Sequence, residues 1–269
     1  MPGTLSPLLR RYDQVILDLD GCVWVGDEAV EGSVEAIASL RTAGKRVAFA
    51  TNNSWHPGED HVARLWRLGV QASLADVVTV GGAMQHLLAD TRTGLTAFVI
   101  GSPALTRHVE DAGLKILNGS DLASRAAVVV VGGTDQVDYD ALRSASLAVH
   151  RGADFLATAR DPTLPTPEGP WPGTGALLAA VETASGRQAE IVGKPQPQLM
   201  ETALDRLGEG RTLVVGDRLD SDIAAAHAAG LDAALVLSGE DSGSVLTDPK
   251  ATKPVAVGDN LAALVNGGA

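Results

Sequence analysis

Short apolar runs ending in polar residues, each followed by a segment of helical period, recur along almost the whole chain, and this alternation restricts the fold more than any other feature. Val15 to Asp18 opens the series and runs into acids and Gly21. Val34, Ile37 and Leu40 then recur at three-residue spacing, Ala43-Gly44 closes that segment, and Val47 to Ala50 follows, which together read as a βαβ unit. Further strand candidates are Val77 to Val80, Ala97 to Ile100, Ala127 to Val131, Phe155 to Ala157, Leu213 to Val215 and Ala233 to Leu237, with helical patterns between most of them. Alternation of this kind implies a parallel sheet covered on both faces, as the all-apolar run Val128 to Val131 also suggests. The expected fold class is α/β with a doubly wound parallel sheet.

With 269 residues the chain is at the upper limit for one hydrophobic core, so two domains are expected. A hydrophobic fraction of 45% is that of a folded globule. Lys and Arg number 21 against 33 Asp and Glu, and the resulting charge of -12 repels a phosphate backbone, so nucleic acid is not an expected partner. Cys22 is the only cysteine, which excludes an intrachain disulfide and a cysteine zinc site and fits a reducing compartment. Met1 to Tyr12 lacks the apolar run of a signal peptide and no stretch is long enough to span a bilayer, so the expectation is a cytoplasmic protein without membrane association.

Pro162, Pro165, Pro167, Pro170 and Pro172 exclude a helix or central strand between Asp161 and Gly175, and the segment is expected to be a long, semi-rigid loop. Gly239 to Lys250 reads as a surface connection before a last short strand and helix.

Four constellations carry chemistry. In Asp18-Leu19-Asp20-Gly21, strand alternation points both carboxylates to one side, where they need a cation or a shared proton; the alternative is a plain strand-to-turn transition. Thr51-Asn52-Asn53-Ser54 ends a strand with four hydrogen-bonding side chains suited to an oxyanion, although the same residues serve as turn and N-cap residues. Lys194, in Gly193-Lys194-Pro195 after a short apolar strand ending at Val192, can neutralise a carboxylate or phosphate, or can be a solvated lysine before a helix starting near Gln196. Gly216-Asp217-Arg218-Leu219-Asp220-Ser221-Asp222 sets three carboxylates after a strand, hard oxygen donors that suit Mg2+ but also an ordinary helix N-terminus. A doubly wound sheet gathers sites that each follow a strand at one rim.

DLDG at Asp18 to Gly21, TNNS at Thr51 to Ser54, GKP at Gly193 to Pro195 and GDRLDSD at Gly216 to Asp222 occur in the order of the haloacid dehalogenase superfamily, which the chain resembles over nearly its whole length. The large insertion between the second and third motifs, with PGTG at Pro172 to Gly175, is similar to the branch with an α/β cap, which includes the NagD-like, phosphoglycolate and 4-nitrophenyl phosphate phosphatases. The resemblance implies a Rossmann-like core of about residues 1–81 and 189–269 and an inserted cap of about 82–188. It implies a magnesium-dependent phosphomonoesterase in which Asp18 is the nucleophile and Asp20 protonates the leaving alkoxide and then activates water. Thr51, Asn52 and Asn53 would bind phosphoryl oxygens, and Lys194 would offset the charge. Asp18, the carbonyl of Asp20 and Asp217 would hold the metal, with Asp222 orienting a metal-bound water.

Thr158-Ala159-Arg160-Asp161 stands where the branch usually reads TN-x-D, so specificity does not transfer by name. Arg160, Asp161 and Leu164 are the expected cap contacts to the substrate. The expected partner is a small phosphorylated metabolite, glycerol 3-phosphate or a broad set, and the branch allows a homodimer through the cap. Competing readings are a phosphotransferase or mutase of the same superfamily, and a nucleotide-binding module without catalysis. Cys22 reads as a small buried residue.

Overall fold

The structure, a computed structural model, describes residues 5–166, 169–239 and 253–267. The chain divides into two compact units: Met1–Thr51, Gly58–Val78 and Lys194–Ala269 form the first, and Asn52–Pro57 with Thr79–Gly193 the second.

In the first unit the strands are β1 (Gln14–Leu17), the short hairpin β2 (Trp24–Val25) and β3 (Glu28–Ala29), β4 (Arg46–Thr51) and β5 (Val77–Thr79), then β13 (Thr212–Gly216), β14 (Asp232–Val236) and β15 (Ala256–Gly258). The sheet order is β15-β14-β13-β1-β4-β5, with β1 parallel to both β4 and β13. The chain leaves β1 toward β4 and β5, and returns on the other side of β1 to build β13, β14 and β15. A doubly wound sheet opens its ligand crevice at that reversal, beyond the carboxyl ends of β1 and β13. Every residue of β1 and β13 is buried, which is why Val15–Leu17 and Leu213–Val215 read as apolar runs rather than alternating ones, while the buried Gln14 Nε2 at the start of β1 donates to Thr212 Oγ1 at the start of β13 at 2.8 Å. Helices α1 (Ser33–Thr42), α2 (Gly58–Arg67), α7 (Gln198–Leu207), α8 (Ala224–Ala228) and α9 (Leu261–Asn266) complete this unit. Its core includes Leu17, Trp24, Leu40, Phe49, Leu65, Val215 and Val236.

The second unit contains β6 (Thr96–Ile100), β7 (Lys115–Ile116), β8 (Val128–Val131), β9 (Asp154–Ala157) and β12 (Glu190–Ile191) in a parallel sheet of order β12-β9-β8-β6-β7. Its helices are α3 (Val80–Arg92), α4 (Pro103–Asp111), α5 (Tyr139–His150) and α6 (Thr174–Ser185). Sequence-local signals start three of them: Thr79, Ser102 and Asp138 accept from the backbone N–H three residues on, and Pro103 occupies the first turn of α4.

Two expectations are corrected. The proline-rich segment is a two-stranded antiparallel hairpin, β10 (Thr163–Thr166) and β11 (Gly169–Pro172), rather than an irregular loop. Its prolines fall on alternate pairs, Pro165 opposite Pro170 and Pro172 opposite Thr163, which leaves the ladder hydrogen bonds to the intervening residues. Prolines exclude a central strand, but a ribbon consists only of edges. The short strand before Lys194, β12, ends at Ile191 and belongs to the second unit's sheet, so Lys194 does not follow a strand of the sheet that carries Asp18. Most of the expected surface connection Gly239 to Lys250 lies outside the described residues.

Candidate active site

β1 stops at Leu17, and Asp18 is the first residue beyond it, its N–H donating to Val215 O at 2.9 Å. On the neighbouring strand β13 stops at Gly216, and Asp217 follows. Two buried aspartates therefore emerge side by side at the sheet's reversal, 8% and 3% exposed. Asp222 comes from the π-helical turn Leu219–Ile223, where its Oδ2 accepts from Arg218 N at 3.1 Å, and it is 1% exposed. Asp18, Asp217 and Asp222 each offer an oxygen within 4.8 Å of the others.

Glycines make this approach possible. A Cβ at Gly21 would collide with the Asp217 carboxylate, and Gly21 also has φ of 84°, which L side chains rarely adopt. A Cβ at Gly216 would collide with Asp222.

Lys194, 6% exposed, lies against this cluster. Its Nζ donates to Asp18 Oδ1 at 2.5 Å and to Asp222 Oδ1 at 2.6 Å, and lies 3.5 Å from Ala50 O. Burial works against the ammonium charge, but the carboxylates of Asp18 and Asp222 outweigh it and hold the proton on more firmly than in water. Burial pushes the Asp18 carboxyl well above its ordinary value; Lys194 opposes the shift, and the charges of Asp222 and Asp217 add to it. With all three acids ionised, three carboxylates and one ammonium carry a net charge of two negative units, and the same crowding that pushes Asp18 upward is what that charge represents. A divalent cation compensates that charge, and clustered carboxylate oxygens are the donors Mg2+ prefers, so the residues fit the metal.

The arrangement departs from the expected one in its second acid. Because β1 ends before Asp18, strand alternation does not carry through to Asp20, and Asp20 is exposed while Asp18 is buried. The chain folds back on itself here, Gly21 N donating to Trp24 O at 2.7 Å and Trp24 N to Leu19 O at 3.1 Å. The indole of Trp24 donates to Asp20 Oδ1 at 2.8 Å. The acids that crowd Asp18 are thus Asp217 and Asp222. Sequence reasoning missed Trp24, although a tryptophan inside a chain only 3% aromatic, four residues past Asp20, was a signal.

Thr51 closes β4 in the first unit and is buried, whereas Asn52, Asn53 and Ser54 belong to the second. There Asn53 Oδ1 accepts from Trp55 N at 2.9 Å, and Ser54 Oγ accepts from Gly133 N at 3.1 Å. Ser102 Oγ donates to Ser54 O at 2.8 Å. Ser54 therefore holds this segment to the ends of the second unit's strands. Arg160, also in the second unit, is engaged by Glu182 through two hydrogen bonds of 2.9 and 2.6 Å and by Gln188 at 3.1 Å. Asp161 follows it, its carbonyl accepting from Gly175 N at 2.8 Å, and Leu164 lies in β10. Cys22 is fully buried, and burial with the nearby carboxylates pushes its thiol well above the usual range, so it is an inert packing residue. Among the described residues no helix is long and apolar enough to cross a membrane.

Comparison with known proteins bears on the same residues. The family described as haloacid dehalogenase-like hydrolase matches residues 15–115, and a second HAD-hydrolase-like family matches 191–264. The chain is 36% identical over 263 residues to a D-glycerol 3-phosphate phosphatase of Mycobacterium tuberculosis, covering 97% of this chain and 73% of that protein. It is 36% identical over 251 residues to human chronophin, covering 88% and 85%. The crystal structure of the M. tuberculosis glycerol phosphate phosphatase in complex with magnesium superposes with a TM-score of 0.90 at 35% identity, over 97% of this chain and 79% of that one. NagD from Escherichia coli K-12 superposes with a TM-score of 0.84 at 31% identity, over 93% and 97%.

Proposed function

The chain belongs to the haloacid dehalogenase-like hydrolase family, and from that premise we propose that it works through an aspartyl-phosphate on Asp18. It is a magnesium-dependent phosphatase that acts on small phosphorylated metabolites. The observation that carries the residue assignment is the buried cluster of Asp18, Asp217 and Asp222 with Lys194 bridging two of its members.

A carboxylate oxygen of Asp18 attacks phosphorus. The bond from phosphorus to the leaving oxygen breaks as Asp20 passes its proton to that oxygen, and an alcohol departs. Asp20, now a carboxylate, takes a proton from a water whose oxygen attacks the same phosphorus; the bond to Asp18 breaks, inorganic phosphate leaves, and both acids are restored. Lys194 and the Thr51 hydroxyl stabilise charge on the phosphoryl oxygens, and the amides of Asn52 and Asn53 take the same role. Asp18, Asp217 and the Asp20 carbonyl would hold the magnesium, with Asp222 as a further ligand or through a water. Bound magnesium supplies the charge neutralisation that lets an anionic nucleophile approach an anionic phosphate.

The groups of the first unit meet only features common to all phosphomonoesters, so choice among substrates falls to the second unit. Glycerol 3-phosphate is the proposed substrate, supported by the name of the M. tuberculosis relative. The engagement of Arg160 by Glu182 favours a role in anchoring the segment before β10, which leaves Asp161 and Leu164 as the proposed substrate contacts. A cytoplasmic location is supported by the single buried thiol. A homodimer through the second unit is supported by its exposed apolar side chains Leu122, Tyr139 and Leu147.

Rapid-quench labelling with a phosphate-labelled substrate tests the mechanism: wild type forms an acid-stable phosphoprotein and Asp18→Asn forms none. Label retained by Asp18→Asn would overturn it.

A further inference from the structure

We propose that Trp24 is a positioning residue for Asp20, fixing which carboxylate oxygen handles the proton. The inference rests on the reading of Asp20 as the proton donor and acceptor.

Asp20 is exposed and lies beyond the end of β1, so neither burial nor sheet geometry orients its carboxylate. Trp24 does so. Its side chain is completely buried and its indole N–H reaches Asp20 Oδ1 at 2.8 Å. The indole is itself fixed from α2. The Arg64 guanidinium carbon sits 4.3 Å from the ring centroid, and the buried His61 ring lies parallel to it at 5° with centroids 6.4 Å apart. The backbone beneath is tied down as well: Ser33 Oγ donates to Val23 O at 2.9 Å, and Val30 N donates to Val23 O at 2.9 Å. A rigid donor thus meets a side chain that otherwise rotates in solvent.

An indole nitrogen only donates, so it must face a lone pair. It holds Oδ1 as an acceptor and leaves Oδ2 to carry the proton. In the first step that proton moves from Oδ2 to the leaving oxygen as its bond to phosphorus breaks. In the second Oδ2 takes a proton from the attacking water as the bond to Asp18 breaks. The indole changes no bond in either step. Preorganising one side chain in this way raises the rate without altering how the ground state of the substrate is bound.

The leaving group separates this role from simple packing. A nitrophenolate departs without a proton, whereas an alkoxide requires one. The ratio of kcat/KM for glycerol 3-phosphate to that for 4-nitrophenyl phosphate therefore reports proton donation, and it is independent of the fraction of enzyme folded. Asp20→Asn is expected to lower the ratio about a hundredfold or more, and Trp24→Phe about tenfold, with KM for both esters nearly unchanged. Replacing Trp24 by benzothienylalanine, which keeps the ring shape and puts sulfur in place of N–H, is expected to reproduce the Trp24→Phe ratio and covers the case in which the phenylalanine variant does not fold. A lowered ratio in Asp20→Asn with a wild-type ratio in the Trp24 variants would overturn the positioning role alone. A wild-type ratio in Asp20→Asn would overturn the reading of Asp20, and the role of Trp24 with it.

Discussion

Lys194 is buried and bonded to two buried carboxylates at once. Removing one partner of a buried pair strands the other charge, at about 3–5 kcal/mol. Lys194→Met is therefore expected to destabilise the first unit by about that amount in EDTA, and by less with excess magnesium, whose charge substitutes for the ammonium. Denaturant unfolding in both conditions measures the difference; equal losses would argue against a shared metal and lysine site. For Asp18→Asn the expected kcat is below about a hundredth of wild type, a loss of at least ~2.7 kcal/mol of transition-state stabilisation. Steady-state phosphate release checks this. At this scale the residues alone left Asp18, Asp217, Asp222 and Lys194 with alternatives as turn, helix-start or solvated residues, and only the order of the four motifs pointed to chemistry. It did not speak for Trp24, whose function is one hydrogen bond made possible by a reversal of the chain.

At the scale of elements, the ion pair between Arg160 and Glu182 ties the segment after β9 to α6. The Arg160 hydrogen bonds hold the Glu182 carboxyl below its ordinary value against the opposing effect of burial. A carboxyl depressed on folding contributes stability above its unfolded value and loses that contribution as the pH falls through the folded value. Arg160 is half exposed, so Arg160→Ala is expected to lower stability by no more than about 1 kcal/mol at neutral pH. The difference should narrow as the pH falls below 4.5, the ordinary value for this group. Thermal unfolding of both proteins across that range tests the sign. Deeper in the same helix, Leu178 is fully buried in the second unit's core, and Leu178→Ala should destabilise that unit by about 2–5 kcal/mol. Strand positions were legible because burial on both faces imposes apolar runs, and helix positions because one buried face imposes a three- to four-residue spacing. The hairpin β10–β11 was not, because prolines signal only where a strand cannot be central.

For the whole molecule, the division into two units separates two tasks in the proposed function, chemistry in the first and selection in the second. Replacing Thr163 to Pro172 by a short glycine linker is expected to leave hydrolysis of 4-nitrophenyl phosphate within about tenfold of wild type while flattening the preference among metabolites, since remote contacts supply differential binding. A screen of phosphate release over sugar, polyol and nucleoside phosphates reads the outcome; an unchanged preference order would remove the hairpin from specificity. By itself the sequence determined the α/β class, the strand series, and the order of four charged or polar motifs. Each of these follows from local periodicity or from residue chemistry within a few positions of the chain. Only the tertiary structure decided that Asp222 joins Asp18 and Asp217 in one cluster, and that Lys194 bonds to two of its members. The same is true of Asp20, which is oriented by an indole rather than by its strand. These are contacts between residues up to 204 positions apart, and which of them form is set by sheet order and by where glycines permit close approach, neither of which any short stretch of sequence encodes.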